Sequence, residues 1–310
     1  MNDTVEHALD LWGLKGANCR LIAARENAVY KVEDATQTFA LRLHRQGYRT
    51  DLELWSELKW MAATSAGGID VPAPVSSVHG QMLHLVDDVQ VDVLTWLSGE
   101  PLDATLARQT GPDRAALFRR LGSQMARLHR VSDAWTPPKG FTRCQWDQSG
   151  LLGEAPLWDR FWDNPALTAQ ERALFTQIRQ QAQRDFTRIS AKLDFGLIHA
   201  DLVTGNVMVD GPRMRFIDFD DGGYGFRVFD IATALLKHID APDYPILQDA
   251  LISGYRSERP IDLAALDLFL VLRAATYVGW NITRMGEDND GARNARFIKT
   301  AKRLALAYLA

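Results

Sequence analysis

Short apolar runs separated by polar turns dominate the first hundred residues. Residues 21–45 alternate apolar and polar positions around two polar breaks, which predicts three antiparallel strands. A short amphipathic helix, capped by Asp3 or Thr4, is predicted before them. A helix is expected from about Asp51 to Thr64, followed by strands around Met82–Leu85 and Gln90–Leu97.

Helical periodicity takes over from about Asp113, interrupted by a compact island over residues 196–225. Strands first and helices later predict an α+β protein with segregated lobes. We place a first lobe at residues 1–97, a hinge at about 94–99 and a second lobe at residues 100–310.

The island contains the residues suited to chemistry. His199 and Asp201 stand before Asn206 with the spacing H-x-D-x4-N, and a hairpin predicted through Asp210-Gly211 leads back to Asp218. Phosphoryl transfer from ATP needs a carboxylate near the attacking hydroxyl and hard oxygen ligands for magnesium. This segment can supply both.

The strings HADLVTGN, FIDFDD and FDIATAL resemble the aminoglycoside phosphotransferase, homoserine kinase and choline kinase superfamily, which is related to the protein kinases. The resemblance implies a bilobal kinase-like fold with a small antiparallel N-terminal sheet, one main helix there, and a larger, mostly helical C-terminal lobe. It implies ATP and Mg²⁺ as cofactors, with Asp201 as the catalytic residue and Asn206 and Asp218 as magnesium ligands. Asp230 would support the catalytic loop from a buried position, and His199 would be structural.

The string FALRL resembles the V-A-I-K strand of kinases, with Arg in place of Lys. Strand alternation puts Ala40 and Arg42 on one face, so Ala40 would lie against adenine and Arg42 would reach the phosphates. Glu57 is the best candidate for the ion-pair partner of Arg42, and Glu53 competes with it. The alternative is a solvent-facing Arg on an ordinary strand.

Two further segments are candidates for nucleotide binding. The first hairpin turn, Arg25-Glu26-Asn27-Ala28, resembles a phosphate-binding turn, with Asn27 matching its Asn. The stretch VDVLTWLSGEPL resembles a hinge whose backbone around Thr95–Leu97 would bind adenine. An ordinary edge strand is the alternative for the hinge.

Composition limits the class of protein. The net charge of −4 and the pI of about 6.0 argue against a nucleic-acid partner. The N-terminus lacks signal-peptide character, and the apolar run Leu263–Trp280 is interrupted by charges, so we expect a cytoplasmic protein without membrane association. The run Asp221-Gly222-Gly223-Tyr224-Gly225 is interpreted as a loop after the metal-binding Asp, not as a dinucleotide fingerprint. The oligomeric state stays open.

The resemblance implies that the first lobe, residues 1–97, binds the nucleotide and that the second, residues 100–310, is catalytic and binds the substrate. It implies a kinase that moves the γ-phosphate of ATP to a hydroxyl of a small molecule such as an amino alcohol, a homoserine-like amino acid or an aminoglycoside. A cationic substrate is favoured by the acidic residues Asp103, Asp220 and Asp221. The alternatives are a bacterial Ser/Thr protein kinase of the same fold, a catalytically silent nucleotide-binding regulator, or a metal hydrolase built on His199.

Overall fold

The computed structural model describes residues 3–24, 27–287 and 291–310. The α-helices are α1 (Asp3–Leu11), α2 (Asp51–Ala66), α3 (Leu102–Ala107), α4 (Gly111–Ala134), α5 (Gln148–Leu152), α6 (Ala169–Ile189), α7 (Arg227–Leu236), α8 (Tyr244–Arg256), α9 (Leu266–Trp280) and α10 (Ala292–Leu309). The strands are β1 (Asn18–Ala24), β2 (Asn27–Glu33), β3 (Thr38–His44), β4 (Leu83–Val86), β5 (Val89–Thr95), β6 (Glu100–Pro101), β7 (Gln145–Trp146), β8 (Phe195–Ile198), β9 (Val207–Asp210), β10 (Arg213–Phe216) and β11 (Gly223–Phe226). Short 3-10 turns cover Phe161–Asp163, Ser190–Lys192, Thr204–Asn206 and Ile282–Glu287.

The chain divides into two compact units. The first unit contains residues 1–105, 131–143 and 205–220, and the second contains residues 106–130, 144–204 and 221–310. The lobe bounds expected from the sequence, 1–97 and 100–310, stay a prediction.

An antiparallel sheet forms the main part of the first unit, with the strand order β1-β2-β3-β5-β4. The predicted alternation along β3 is present, because Phe39, Leu41 and Leu43 all join the hydrophobic core. Helix α1 packs its buried residues Val5 and Leu9 into the same core. Arg42 lies between the core-facing positions of β3 and therefore points to the other face.

Helix α2 begins with a capping box. The Thr50 side chain accepts a hydrogen bond from the Glu53 backbone, and the Glu53 carboxylate accepts one from the Thr50 N–H. The predicted apolar stripe, Leu54 with Leu58 and Met61, is buried. Glu57 is also fully buried on this helix, so it needs a partner of opposite charge.

A second sheet of the first unit has the order β10-β9-β6. The predicted hairpin is confirmed: β9 and β10 pair in antiparallel register from Arg213↔Asp210 to Phe216↔Val207. Gly211 takes φ +56 in the turn, a conformation that favours glycine. The hairpin places Ile217 and Asp218 directly after the returning strand.

Apolar helices form the core of the second unit. Every residue of α7 is buried, and α9, which packs against α7 and α10, exposes little of its length. Helix α9 is therefore a core helix of the second unit. Across the described ranges, none of the helices combines the length and the apolarity that crossing a bilayer requires.

One sequence-based interpretation is wrong in the second unit. Residues from Gly223 are not a loop but the strand β11, which pairs with β8 in antiparallel and with β7 in parallel orientation. A Cβ at Gly225 would collide with side-chain atoms of Ile198 and Trp146. The glycine therefore permits close packing of short strands, which a local pattern of Gly residues does not distinguish from a turn.

Candidate active site

Arg42 is held by two buried carboxylates in the first unit. Its Nε and Nη2 atoms each donate to Asp92 at 2.8 Å, and Nη1 donates to Glu57 Oε1 at 2.7 Å. The Arg42 side chain is 8% exposed, and those of Asp92 and Glu57 are 0% exposed. The alternative of a solvent-facing Arg42 is therefore wrong. Glu53, the competing acid, is instead used in the capping box of α2.

Register explains the fork between Arg42 and Asp92. The two residues are direct partners in the antiparallel pairing of β3 and β5. Burial raises the pKa of Asp92, but the neighbouring Arg42 and His44 outweigh this and lower it to about 2. Burial likewise raises the pKa of Glu57, and Arg42 with Arg143 brings it below its ordinary value. Both carboxylates are therefore ionised at neutral pH.

The same network extends to the predicted phosphate turn. His44 Nε2 lies 2.7 Å from Asp92 Oδ2, and His44 Nδ1 lies 3.1 Å from Asn27 Oδ1. Asn27 and His44 are also paired across β2 and β3. Asn27 is thus positioned by its strand partner. Arg25 and Glu26, the rest of that predicted turn, lie outside the described residues.

Arg143 connects the network to the segment after Asp218. Its Nη1 lies 3.3 Å from Glu57 Oε2, and its Nη2 donates to the carbonyls of Phe219 at 3.0 Å and Asp220 at 2.6 Å. One buried guanidinium therefore contacts both the ion-pair acid of α2 and the backbone next to a predicted metal ligand.

The predicted adenine-binding residues lie at the end of β5 and on β3. Ala40 is half-buried. The N–H of Thr95 donates to the Ala73 carbonyl at 2.9 Å, and the Thr95 hydroxyl accepts from the Ala73 N–H. In this stretch β5 lies between β3 and β4 and is not an edge strand, whereas β6 is the last strand of the order β10-β9-β6. The N–H of Trp96 donates to Thr38, so Leu97 is the predicted residue left to offer adenine a backbone N–H.

The two predicted magnesium ligands lie on adjacent backbone segments of the first unit. Asn206 ends a 3-10 turn just before β9, and its carbonyl accepts from the Ile217 N–H at 3.0 Å. Asp218 therefore follows a residue that is hydrogen-bonded to Asn206. Asp218 has φ +69, an uncommon conformation for a non-glycine residue that is enriched at functional sites.

This donor set fits magnesium. Mg²⁺ takes oxygen ligands and is bound in proteins by one or two carboxylates together with substrate phosphates and water. One carboxylate and one amide oxygen on neighbouring segments meet that description. Within the described ranges there is no group of three or more His, Cys, Asp or Glu side chains able to hold a metal by itself.

Asp201 lies in the second unit, on a backbone segment fixed by Asp230. The fully buried Asp230 carboxylate accepts from the His199 N–H at 2.9 Å and from the Ala200 N–H at 2.7 Å. Ala200 has φ +65, so these bonds hold a sparsely populated conformation next to Asp201. His199 is fully buried, as its expected structural role requires.

A buried histidine completes the support behind Asp230. His129 Nε2 lies 3.0 Å from Asp230 Oδ2, and His129 Nδ1 lies 2.8 Å from the Tyr255 hydroxyl. Burial lowers the pKa of His129 to about 4, with Arg227 acting in the same direction. The neutral ring therefore donates to Asp230 and accepts from Tyr255.

A fully buried arginine contacts the predicted catalytic carboxylate. Arg273 on α9 is 0% exposed and pairs through Nη2 with Asp201 Oδ1, while the Asp201 side chain is 21% exposed. The Arg273 guanidinium also stacks 4.6 Å from the Trp158 ring and 4.4 Å from the Tyr277 ring. Burial works to lower the pKa of Arg273, but Tyr277, Asp201 and Asp221 raise it overall.

Sequence reasoning missed Asp92, Arg143 and Arg273 as parts of the site. Two of them carry a local signal, because Asp92 interrupts the apolar strand VQVDVLT and Arg273 interrupts the apolar helix α9. A charge at a core position requires a partner, although the sequence does not say which one. Arg143 stands in an irregular segment and carries no such signal.

The fold and these residues define a class of protein. An antiparallel sheet with a paired Arg–Glu on β3 and α2, followed by a D-x4-N segment and an aspartate after a hairpin, is the arrangement of a kinase-like phosphotransferase. The profile of the phosphotransferase enzyme family, APH, matches residues 18–269. The chain belongs to this family.

Several kinases are similar to this chain along most of its length. An amicoumacin kinase of Bacillus subtilis (strain 168) is 25% identical over 300 residues, covering 89% of this chain and 85% of the relative. A homoserine kinase of Hyphomonas neptunium is 28% identical over 283 residues, covering 84% and 79%. The solved structure of a microcompartment-associated aminopropanol kinase is 30% identical, with a TM-score of 0.86 and coverage of 99% and 97%.

A further solved structure shows the fold alone. An amicoumacin kinase in complex with AMP-PNP and Ca²⁺ is 22% identical, with a TM-score of 0.79 and coverage of 97% and 92%. The predicted α+β kinase-like fold, the predicted family and the predicted class of small-molecule kinase acting on a hydroxyl group are confirmed.

Proposed function

We propose that the protein is an ATP- and Mg²⁺-dependent kinase whose acceptor is the hydroxyl of a small primary amino alcohol. The observation that carries the proposal is Asp201. It is a partly exposed carboxylate in an H-x-D-x4-N segment whose backbone is held by the buried Asp230. A general base must be ionised, fixed and reachable by the acceptor, and this one is paired with a cation, held and partly exposed.

The proposed reaction is a direct in-line transfer. The acceptor oxygen forms a bond to the γ-phosphorus while the bond from that phosphorus to the β–γ bridging oxygen breaks, so ADP leaves with the electron pair. Asp201 orients the acceptor hydroxyl and takes its proton, which then passes to solvent. Arg42 and Glu57 position the phosphates, and Ala40 with the Thr95–Leu97 backbone receives adenine.

Asn206 and Asp218 would hold Mg²⁺, and Asn27 at the start of β2 would contact the phosphates. When bound, the ion supplies neutralisation of charge on the β- and γ-phosphates. Arg143 fixes the carbonyls just after Asp218, so this ligand does not have to be ordered when nucleotide binds.

We expect a preference for an amine because a second carboxylate, Asp221, acts on the same Arg273 guanidinium as Asp201. Asp221 Oδ1 accepts from Trp158 Nε1 at 3.3 Å, and Trp158 stacks on Arg273, the partner of Asp201. Two carboxylates and one guanidinium sum to a charge of −1, which favours a cationic acceptor. Trp158 and Tyr277 already face a cation, so Asp221 would bind a primary ammonium through hydrogen bonds better than the rings would bind a quaternary one.

An ADP-release assay with Mg²⁺ tests this proposal. The panel contains 1-amino-2-propanol, ethanolamine, choline, homoserine and an aminoglycoside, and we expect the highest kcat/KM with a short primary amino alcohol. A clear preference for homoserine, choline or an aminoglycoside would reject the substrate class while keeping the kinase assignment.

The Asp201→Asn variant tests the assigned chemistry. Turnover should fall by about 10²–10⁴-fold, the usual contribution of a general base, while ATP binding by calorimetry stays unchanged. Near-wild-type turnover would remove Asp201 from its role. Asp185→Asn is the matched control, since Asp185 lies on α6 and hydrogen-bonds Gln181 and Tyr308 instead.

A further inference from the structure

We propose that Arg273 is a positioning residue for the catalytic carboxylate. The inference rests on the proposed role of Asp201 and goes beyond it, because it assigns a function to a buried cation on α9. Arg273 Nη2 contacts both Asp201 Oδ1 and, at 3.0 Å, the Tyr277 hydroxyl. The guanidinium is thereby tied to its own helix and to Asp201 at once.

The surroundings of Arg273 are aromatic. Its guanidinium carbon lies 4.4 Å from the Tyr277 ring centroid, 4.6 Å from Trp158 and 5.6 Å from Phe229. The Nε and Nη1 atoms are buried and have no hydrogen-bond partner among the described residues. Cation–π contact with the three rings therefore replaces hydrogen bonds for two of the three guanidinium nitrogens.

This arrangement is costly for a residue that serves packing alone. A buried charge with unsatisfied donors destabilises a core, and well-packed apolar residues of similar volume usually serve as well or better. Among the described residues, Arg273 forms its ion pair with Asp201, which is partly exposed. The geometry thus connects a rigid core helix to the carboxylate that meets the acceptor.

The consequence is orientation. Because the guanidinium engages Oδ1 from the protein interior, it limits the rotation of the Asp201 side chain and leaves the carboxylate turned toward its exposed side. A misplacement of about 1 Å in a reacting group can cost about 100-fold in rate. Arg273 is therefore expected to affect kcat while nucleotide binding stays unchanged.

Chemical rescue tests the inference directly. In Arg273→Ala, kcat should fall about 100-fold with an unchanged ADP dissociation constant by calorimetry. Guanidinium ion at millimolar concentration should restore kcat saturably, because the three rings and Asp201 remain to bind it. Ammonium ion should restore less, since it lacks the planar, weakly hydrated face that stacks on the aromatic rings.

Arg179→Ala is the matched control. Arg179 stacks 3.9 Å over Trp162 and pairs with Glu154, so its removal also deletes an arginine on a ring. It should keep kcat and show no response to guanidinium. Equal activation of both variants would overturn the inference, because the ion would then act nonspecifically.

Arg273→Lys is measured in case the alanine variant does not fold, with near-ultraviolet circular dichroism to establish its fold. A folded lysine variant with wild-type kcat would contradict the need for a planar guanidinium, whereas a kcat loss without a change in the ADP dissociation constant supports it. If Asp201→Asn keeps its turnover, the proposed role of Asp201 itself fails. If Asp201→Asn is inactive and Arg273→Ala retains kcat, only the role of Arg273 is rejected.

Discussion

Two buried arginines, Arg42 in the first unit and Arg273 in the second, are neutralised in different ways. Arg42 in the first unit is held by the carboxylates of Asp92 and Glu57, both fully buried. Arg273 in the second unit has the partly exposed Asp201 as its ionic partner and aromatic rings around the rest. A cation that is neutralised by buried acids mainly stabilises the fold and forms a structural centre. A cation that pairs with a partly exposed acid can also influence how that acid binds a ligand.

The difference also concerns how far each network reaches. From Arg42, hydrogen bonds continue through Glu57 and Arg143 to the backbone after Asp218, so the charge centre is part of a chain of polar contacts. Around Arg273 most of the contacts are with the aromatic rings of Trp158, Phe229 and Tyr277. We therefore expect damage to the first network to appear mainly in stability, and damage to the second mainly in turnover.

The largest stability effect is expected for Asp92→Asn. Removing this charge leaves Arg42 with a single carboxylate in a buried site, and breaking a buried ion pair costs about 3–5 kcal/mol. The free energy of unfolding in urea, followed by tryptophan fluorescence, measures the loss. The same change at the exposed Asp88, which has φ +63, is the control because Asn tolerates that conformation. A loss below about 1 kcal/mol, as for an exposed pair, would show that the first network is not a structural centre.

The next effect is the pH dependence contributed by His129. Its pKa of about 4 in the fold is below the ordinary 6.5, so the unfolded chain binds more protons between these values. The contribution is complete above pH 6.5 and is lost as pH falls toward 4, an effect on the order of 3 kcal/mol. Urea unfolding at pH 7 and at pH 4.5 should show this slope. His129→Gln should flatten it, and an unchanged slope would assign it to other groups.

A smaller effect is expected for Arg42→Lys. Lysine keeps the positive charge but cannot form the two parallel bonds to Asp92, so the loss should be about 2 kcal/mol, the scale of one hydrogen bond to a charged group. Urea unfolding measures it, and the KM for ATP reports whether the cation serves the phosphates. Arg20→Lys on the exposed surface of β1 is the control and should be neutral. A neutral Arg42→Lys would mean that the fork to Asp92 contributes nothing beyond charge.

The smallest effects concern one capping box in each unit. Thr50→Ala at α2 and Thr168→Ala at α6 each remove the same pair of contacts with Glu53 and Glu171. Each should cost about 1 kcal/mol in the free energy of unfolding. Because a cap is local, the two costs should be similar, in contrast to the arginine networks. If Thr50→Ala cost several times more free energy than Thr168→Ala, loss of the α2 cap would also be disturbing the buried Glu57 on the same helix.

Local pattern predicted much of the secondary structure and the family. Alternation over 21–45 predicted β1 to β3, helical spacing predicted α2, and the Asp210-Gly211 turn predicted the β9–β10 hairpin. The H-x-D-x4-N spacing led to the family that the comparison then confirmed. These succeed because hydrophobic period, turn chemistry and motif spacing are properties of neighbouring residues. The predicted loop over Gly223–Gly225 failed because the tight packing of β11 depends on distant residues.

Tertiary structure alone decided which charges meet. Arg42 and Asp92 are 50 positions apart, Arg143 and Glu57 are 86 apart, and Arg273 and Asp201 are 72 apart. A sequence shows that a buried charge needs a partner but not which one, because the partner is chosen by strand register and helix packing. The order of chemical groups along the chain can therefore be read from the sequence, whereas the pairing of the charges is decided by the tertiary structure.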